Sequence, residues 1–190
     1  MDTDADFTAF ESADTLPSRF FGKYRGTVSE LEGDGSLCRL RAKVPEIYGP
    51  DGESPWALPC LPFAGPSHGF VLLPEEGDGV WIEFEAGDIS RPIWTGCWFA
   101  QGDRPDPGTD KARVLATTSG HKLVLDDDAN KVQLLHADGA ELTMETDQIT
   151  LKLGSCQIVI SPTDINVNNG MLKITTAGAS LVNDAFKVGA

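Results

Sequence analysis

The sequence predicts an all-β chain in two parts: a small closed barrel, then a rod built from short repeated strands. Three observations carry this. Glycine (20) and proline (12) are frequent, which favours many turns. Apolar and polar residues alternate with a period of two over most of the chain, which gives each strand one apolar side. From Ser119 onward the alternating segments are very short and recur at a nearly fixed spacing. The first apolar residues of Leu142, Ile149, Ile158, Ile165, Leu172 and Leu181 are 7, 9, 7, 7 and 9 residues apart, a period close to eight. A short, fixed period of strands predicts a β-helical or solenoid rod. Neighbouring strands, or neighbouring chains, must supply the other half of its core.

Residues 1–19, MDTDADFTAFESADTLPSR, read as an N-terminal arm. Phe7, Phe10 and Leu16 are isolated apolar anchors among Asp2, Asp4, Asp6, Glu11 and Asp14. The anchors predict docking on a neighbour, and the composition equally fits an unstructured tail.

Residues 20–100 read as a barrel. KYRGTVSEL is a first strand and EGDGS a turn. In LCRLRAKV, Cys38, Leu40, Ala42 and Val44 face one way, with Arg39, Arg41 and Lys43 opposite. PEIYGPDGESPW is a long loop, and ALPCLPF an edge strand or extended crossing because proline cannot donate to a ladder. In GVWIEFE, Val80, Ile82 and Phe84 point inward. In RPIWTGCWF, alternation puts Ile93, Thr95, Cys97 and Phe99 on one side and Trp94 and Trp98 on the other. Five short strands with one long loop match a Greek-key barrel of the OB type. Trp81, Trp94 and Trp98 are then assigned away from the main core, as a partner-contact surface or a second small core. QGDRPDPGTD opens a linker, residues 101–111, and residues 112–190 form the rod.

Charge and composition exclude several functions. The net charge is −14, with 8 Lys/Arg against 20 Asp/Glu in residues 1–110 and 7 against 9 in residues 111–190. That field repels nucleic acid and anionic membranes. No run approaches the about 18 apolar residues of a membrane helix. Cys38, Cys60, Cys97 and Cys156 lie far apart without CxxC spacing, which reads as reduced thiols. His68, His121 and His136 lack zinc-ligand spacing. Asp126-Asp127-Asp128 lacks the alternate spacing of a calcium loop and reads as a hairpin turn. Glu83 and Glu85 share an outer strand face rather than a desolvated dyad. Arg39, Arg41 and Lys43, with Tyr48 and Trp56 in the next loop, are the nucleic-acid candidates, although cross-strand carboxylates at Glu30, Glu83 or Glu85 explain them.

KYRGTVSEL, CRLRAKVPEIYG, WALPCLPFAG, LLPEEGDGVWIEFEAGD and RPIWTGCW together resemble the OB domain of contractile-tail spike proteins. These comprise the phage baseplate assembly protein V family, the phage tail lysozyme-spike proteins and the valine-glycine-repeat spikes of type VI secretion. TTSGHKLVLDDDANKVQLLHADGAELTME resembles the start of their β-helical needle. The resemblance covers about residues 20–175. It implies a homotrimer whose C-terminal strands wind into an intertwined β-prism beneath a tail-tube hub.

It also implies a structural, non-enzymatic spike that leads the tube through a target envelope. Such a protein is made in bacterial cytoplasm without a signal peptide and assembled into a virion baseplate or injection particle. No cofactor is expected. The short linker leaves no room for an inserted lysozyme domain, and with no histidine after His136 a metal-bearing tip is not expected. A separate conical tip protein should then cover the C-terminal end, with Phe186 and Val188 as contacts. The trimer core is expected at Leu142, Met144, Ile149, Leu151, Ile158, Ile160, Ile165, Val167, Leu172 and Ile174. Hub or partner contacts are expected at Phe7, Phe10, Trp81, Trp94 and Trp98. The alternative readings are an OB-fold binding module for nucleic acid or glycan on a β-rich stalk, and an envelope-degrading enzyme.

Overall fold

The structure is a computed structural model that describes residues 18–182 and 184–189. The candidate contacts Phe7 and Phe10 therefore lie outside the described residues. The chain divides into two compact units between Gly102 and Asp103.

The first unit is a curled five-stranded sheet. Its strands are β1 (Tyr24–Leu31), β2 (Leu40–Lys43), β3 (Leu58–Pro59), β6 (Gly79–Phe84) and β7 (Pro92–Trp98), in the order β2-β1-β6-β7-β3. A one-turn helix α1 (Pro45–Tyr48) follows β2. β4 (Ala64–Gly65) and β5 (His68–Gly69) make a small separate hairpin. The alternation of β2 and β6 holds: Leu40, Ala42, Val44, Val80 and Ile82 are fully buried beside Val28, Ala57 and Phe84. β3 lies parallel to β7 at the sheet edge, the place its prolines allow. Isolated bridges Leu40–Ala57 and Lys43–Glu53 fold the long loop back over β2. There the buried Ser54 hydroxyl accepts from the Ala42 N–H at 3.1 Å and donates to the Pro55 carbonyl at 2.7 Å.

Proline at the first helical position explains why part of the predicted loop is helical, since it removes only an N–H that would be unpaired there. The helix delivers Tyr48 to the core edge, where its hydroxyl donates to the Ile89 carbonyl at 2.6 Å.

One strand face departs from the sequence expectation. Trp94 is not an outward residue: it is 4% exposed, packs within the core and donates from Nε1 to the Cys38 carbonyl at 3.1 Å. The cause is a register shift against β6. Val80 pairs with Cys97, whereas Ile82 pairs with Trp94, so β7 holds one extra residue around Gly96, whose φ is +141. Strict alternation through that bulge inverts the assignment, and Pro92 and Trp94 take the inner side while Phe99 is exposed.

The second unit is one ten-stranded antiparallel meander. β8 (Ala112–Ala116), β9 (Lys122–Asp126), β10 (Lys131–Leu135), β11 (Ala140–Met144), β12 (Ile149–Leu153), β13 (Cys156–Ile160), β14 (Asp164–Val167), β15 (Leu172–Thr175), β16 (Gly178–Leu181) and β17 (Phe186–Gly189) each pair only with their sequence neighbours. The short alternating segments that the sequence shows from Ser119 onward appear as β9–β15. β8, β16 and β17 extend the sheet at both ends. None of its nine pairings contains a register shift. Asp126–Asn130 is the expected hairpin turn, with Asp126 accepting from the Ala129 N–H and Asn130 at φ +50. The predicted linker is folded onto this sheet: Thr109 Oγ1 accepts from the Lys111 and Ala112 N–H groups, and Lys122 Nζ donates to the Asp106 carbonyl.

Candidate functional site

The unbroken register of the meander decides where its side chains go. Alternation puts every second residue on one face, and in-register pairing stacks those residues into columns across the strands. One column runs Leu115, Leu123, Leu134, Leu142, Leu151, Ile158, Val167, Leu172. Beside it runs Leu125, Val132, Met144, Ile149, Ile160, Ile165, Ile174, begun on β8 by Arg113. All ten residues expected in the core fall in these two columns. Leu115, Leu123, Leu125, Val132 and Leu134 belong to them too. The alternation of ARVLA and KLVLD carries that signal, and the starting list at Leu142 missed it.

This face is uncovered in the single chain. Leu151 is 53% exposed, Leu134 57% and Leu153 65%, and Met144, Ile149, Ile158, Ile160, Ile165 and Ile174 are also exposed. The apolar area left open is on the order of 1,000 Å², above the few hundred Å² that soluble monomers show as a contiguous patch. Leu151, Leu153, Cys156, Ile158 and Val167 line a shallow apolar hollow in it. Arg113, the one charged member of the columns, is tied to Asp127 at the sheet's first edge.

The opposite face is mainly polar and ion-paired, although Val114, Val124 and Val159 also lie on it and Val124 is fully buried there. Lys152 pairs with Glu141 across β11–β12 at 3.4 Å, Lys173 with Asp164 across β14–β15 at 2.9 Å, and Lys131 with Glu145 at 3.5 Å. A hydrogen bond from Gln148, with help from Lys131, holds the Glu145 carboxyl below the usual carboxylate range. Thr143 is buried beneath Gln133, which donates to it at 3.3 Å. The sheet is therefore finished on one side and unfinished on the other.

The remaining candidates resolve into structural roles. Arg39 pairs with Glu32 and Arg41 with Glu30, and both guanidinium groups lie over Trp56, at 5.8 and 4.8 Å. The basic face considered for nucleic acid is thus already occupied by the chain's own carboxylates and indole. Trp81 and Trp98 are half-buried on the outer face of β6 and β7, with the Arg25 guanidinium 5.5 and 5.2 Å from their rings. Trp98 also lies on Gly79, where a Cβ would stand 2.5 Å from its ring. His121 and His136 meet edge to face at 4.4 Å, their Nδ1 atoms accepting from the Ala137 and Asp138 N–H groups. Among the described residues, no three His, Cys, Asp or Glu side chains are grouped to hold a metal ion. Phe186 and Val188 are exposed on β17, the last strand.

A small curled sheet and a strand meander with one uncovered apolar face mark a subunit that self-associates. Comparison with known proteins agrees. Residues 24–99 match the family model of the type VI secretion system and phage-baseplate injector OB domain. Residues 112–173 match that of the phage baseplate V C-terminal trimerisation domain. The chain belongs to the phage baseplate V family of injection-machine spikes, and its role is that of a structural spike component. It is also similar to the actin cross-linking toxin VgrG1 of Vibrio cholerae serotype O1, 30% identical over 150 residues. That alignment covers 68% of this chain and 13% of the relative, so the chain spans a small part of that protein's length. The match to the trimerisation domain supports a homotrimer.

Proposed function

We propose that this protein is the non-enzymatic central spike of a contractile phage tail or related injection particle, joining the tail-tube hub to a membrane-piercing tip. The arm at 1–19 and the barrel at 20–100 form the hub end, residues 101–111 connect, and residues 112–190 form the shaft. The observation that carries this reading is the pair of apolar columns running without a register break along a sheet whose other face is mainly polar and ion-paired. Such a face is closed only by copies of itself, and a closed rod has its polar backbone paired along its length, which resists bending when driven forward. Trp81 and Trp98 on the barrel, with Phe7 and Phe10 of the arm, are the proposed hub contacts. A separate conical tip protein meets the end at β17.

The test is complementation. Particles lacking this chain should lose delivery into target cells, wild-type protein should restore it, and Ile165→Asp should not. Restoration by Ile165→Asp contradicts the shaft role. Cleavage of peptidoglycan by the purified protein contradicts the non-enzymatic reading.

A further inference from the structure

The matched trimerisation region ends at residue 173, inside β15, yet the sheet continues for two more strands. Register carries the columns straight into them. Leu172 pairs with Leu181 and Leu181 with Phe186; Ile174 pairs with Ala179 and Ala179 with Val188. Both columns therefore gain two rungs of apolar side chains on the face that the other copies cover. The polar face continues as well, with Lys173, Ser180 and Lys187 in one row and Lys187 paired to Asp184 at 3.5 Å.

The register is pinned at the far side. Gly178 and Gly189 sit directly opposite one another at φ +148 and +155. A Cβ on Gly178 would stand 2.3 Å from the Val188 carbonyl oxygen, and one on Gly189 2.3 Å from that of Ala177. Only glycine allows this approach, and a slip by one residue would turn Phe186 and Val188 onto the polar face.

We propose that the threefold core runs on through β16 and β17, so that Leu181, Phe186 and Val188 are buried against the other two copies of this chain. They then do not form the surface that meets a tip protein. This rests on the trimeric-spike reading and extends the shaft core by two strands, about 10 Å, beyond the matched region.

The experiment uses the full chain. Phe186→Asp and Val188→Asp are compared with Lys187→Asp, which puts a carboxylate on the same strand but on the outer face. Amide hydrogen exchange is followed over residues 172–189, with native mass as the control. The proposal expects exchange at least tenfold faster in the Phe186 and Val188 variants, and little change in Lys187→Asp. Equal exchange in all three variants and the wild type overturns it, because the last hairpin then lies outside the core. A wild-type mass of one chain is a different failure: it overturns the trimeric reading itself.

Discussion

Replacing Ile158 by aspartate tests the open face at its centre. Ile158 lies between Leu151 and Val167 in its column and keeps 38% of its surface exposed in the single chain. That fraction corresponds to about 70 Å² per copy, or ~1.7 kcal/mol at about 25 cal/mol per Å², and ~5 kcal/mol over three copies. The larger effect is the charge. Threefold symmetry brings three carboxylates to one level of an apolar core, at several kcal/mol per ion before their mutual repulsion. The total is on the order of 15 kcal/mol per trimer, comparable with the whole stability of a domain. Ile158→Asp should therefore run as a monomer by light scattering, with the tryptophan signals of its barrel intact. Val159→Asp, one residue along and on the polar face beside Thr150 and Asn166, should remain trimeric. A trimeric Ile158→Asp protein with an unchanged melting temperature would falsify the assignment of this face.

Three further predictions concern the barrel. Gly79→Val forces a side chain into the Trp98 ring and should lower barrel stability by about 1–3 kcal/mol, read from urea unfolding; a neutral effect would mean that Trp98 is free to leave. Tyr48 is pushed up to about 12 by burial, so its phenol should stay protonated well past pH 10 in an ultraviolet titration. A raised phenol pKa contributes stability that is present below the ordinary value and lost as pH rises towards 12, and Tyr48→Phe should remove the Ile89 bond at a cost of about 1 kcal/mol. Glu32 is held below its ordinary 4.5 by its bond to Arg39, with the Leu37 and Arg39 N–H groups adding to it. A depressed carboxyl contributes stability present above that value and lost as pH falls through the folded one. Unfolding midpoints should therefore drop on acidification through this range, and drop less in Glu32→Gln.

The parts of the fold that were legible from sequence are those where alternation runs unbroken. Leu40, Ala42 and Val44 read as inward residues and are fully buried, because β2 carries no bulge across them. Trp94 was misread for the opposite reason: one extra residue near Gly96 changes the phase of β7, and a period-two pattern has no mark for that except the glycine itself. The two columns from Leu142 to Ile174 were legible because each strand repeats the same two-residue signature. β16 was marked in the sequence only by Leu181, because Gly178, Ala179 and Ser180 are small residues that carry no amphipathic signal, although the register also uses Ala179 as a rung. What alternation alone left open was the source of the missing half-core. A strand with one apolar side fits a solenoid or a multi-chain rod equally. Among the described residues each strand pairs only with its sequence neighbours and leaves the apolar face uncovered in the single chain, which does not form a solenoid coil; the trimerisation-domain match supports a multi-chain assembly.

The mass of this 190-residue chain in solution decides whether three copies share one core. One chain is 20.4 kDa. Light scattering should return three times that value, independent of dilution through the micromolar range, and the same at high salt because the interface is apolar. A stable, soluble monomer at these concentrations would leave two exposed apolar columns with nothing to cover them, and would contradict the account.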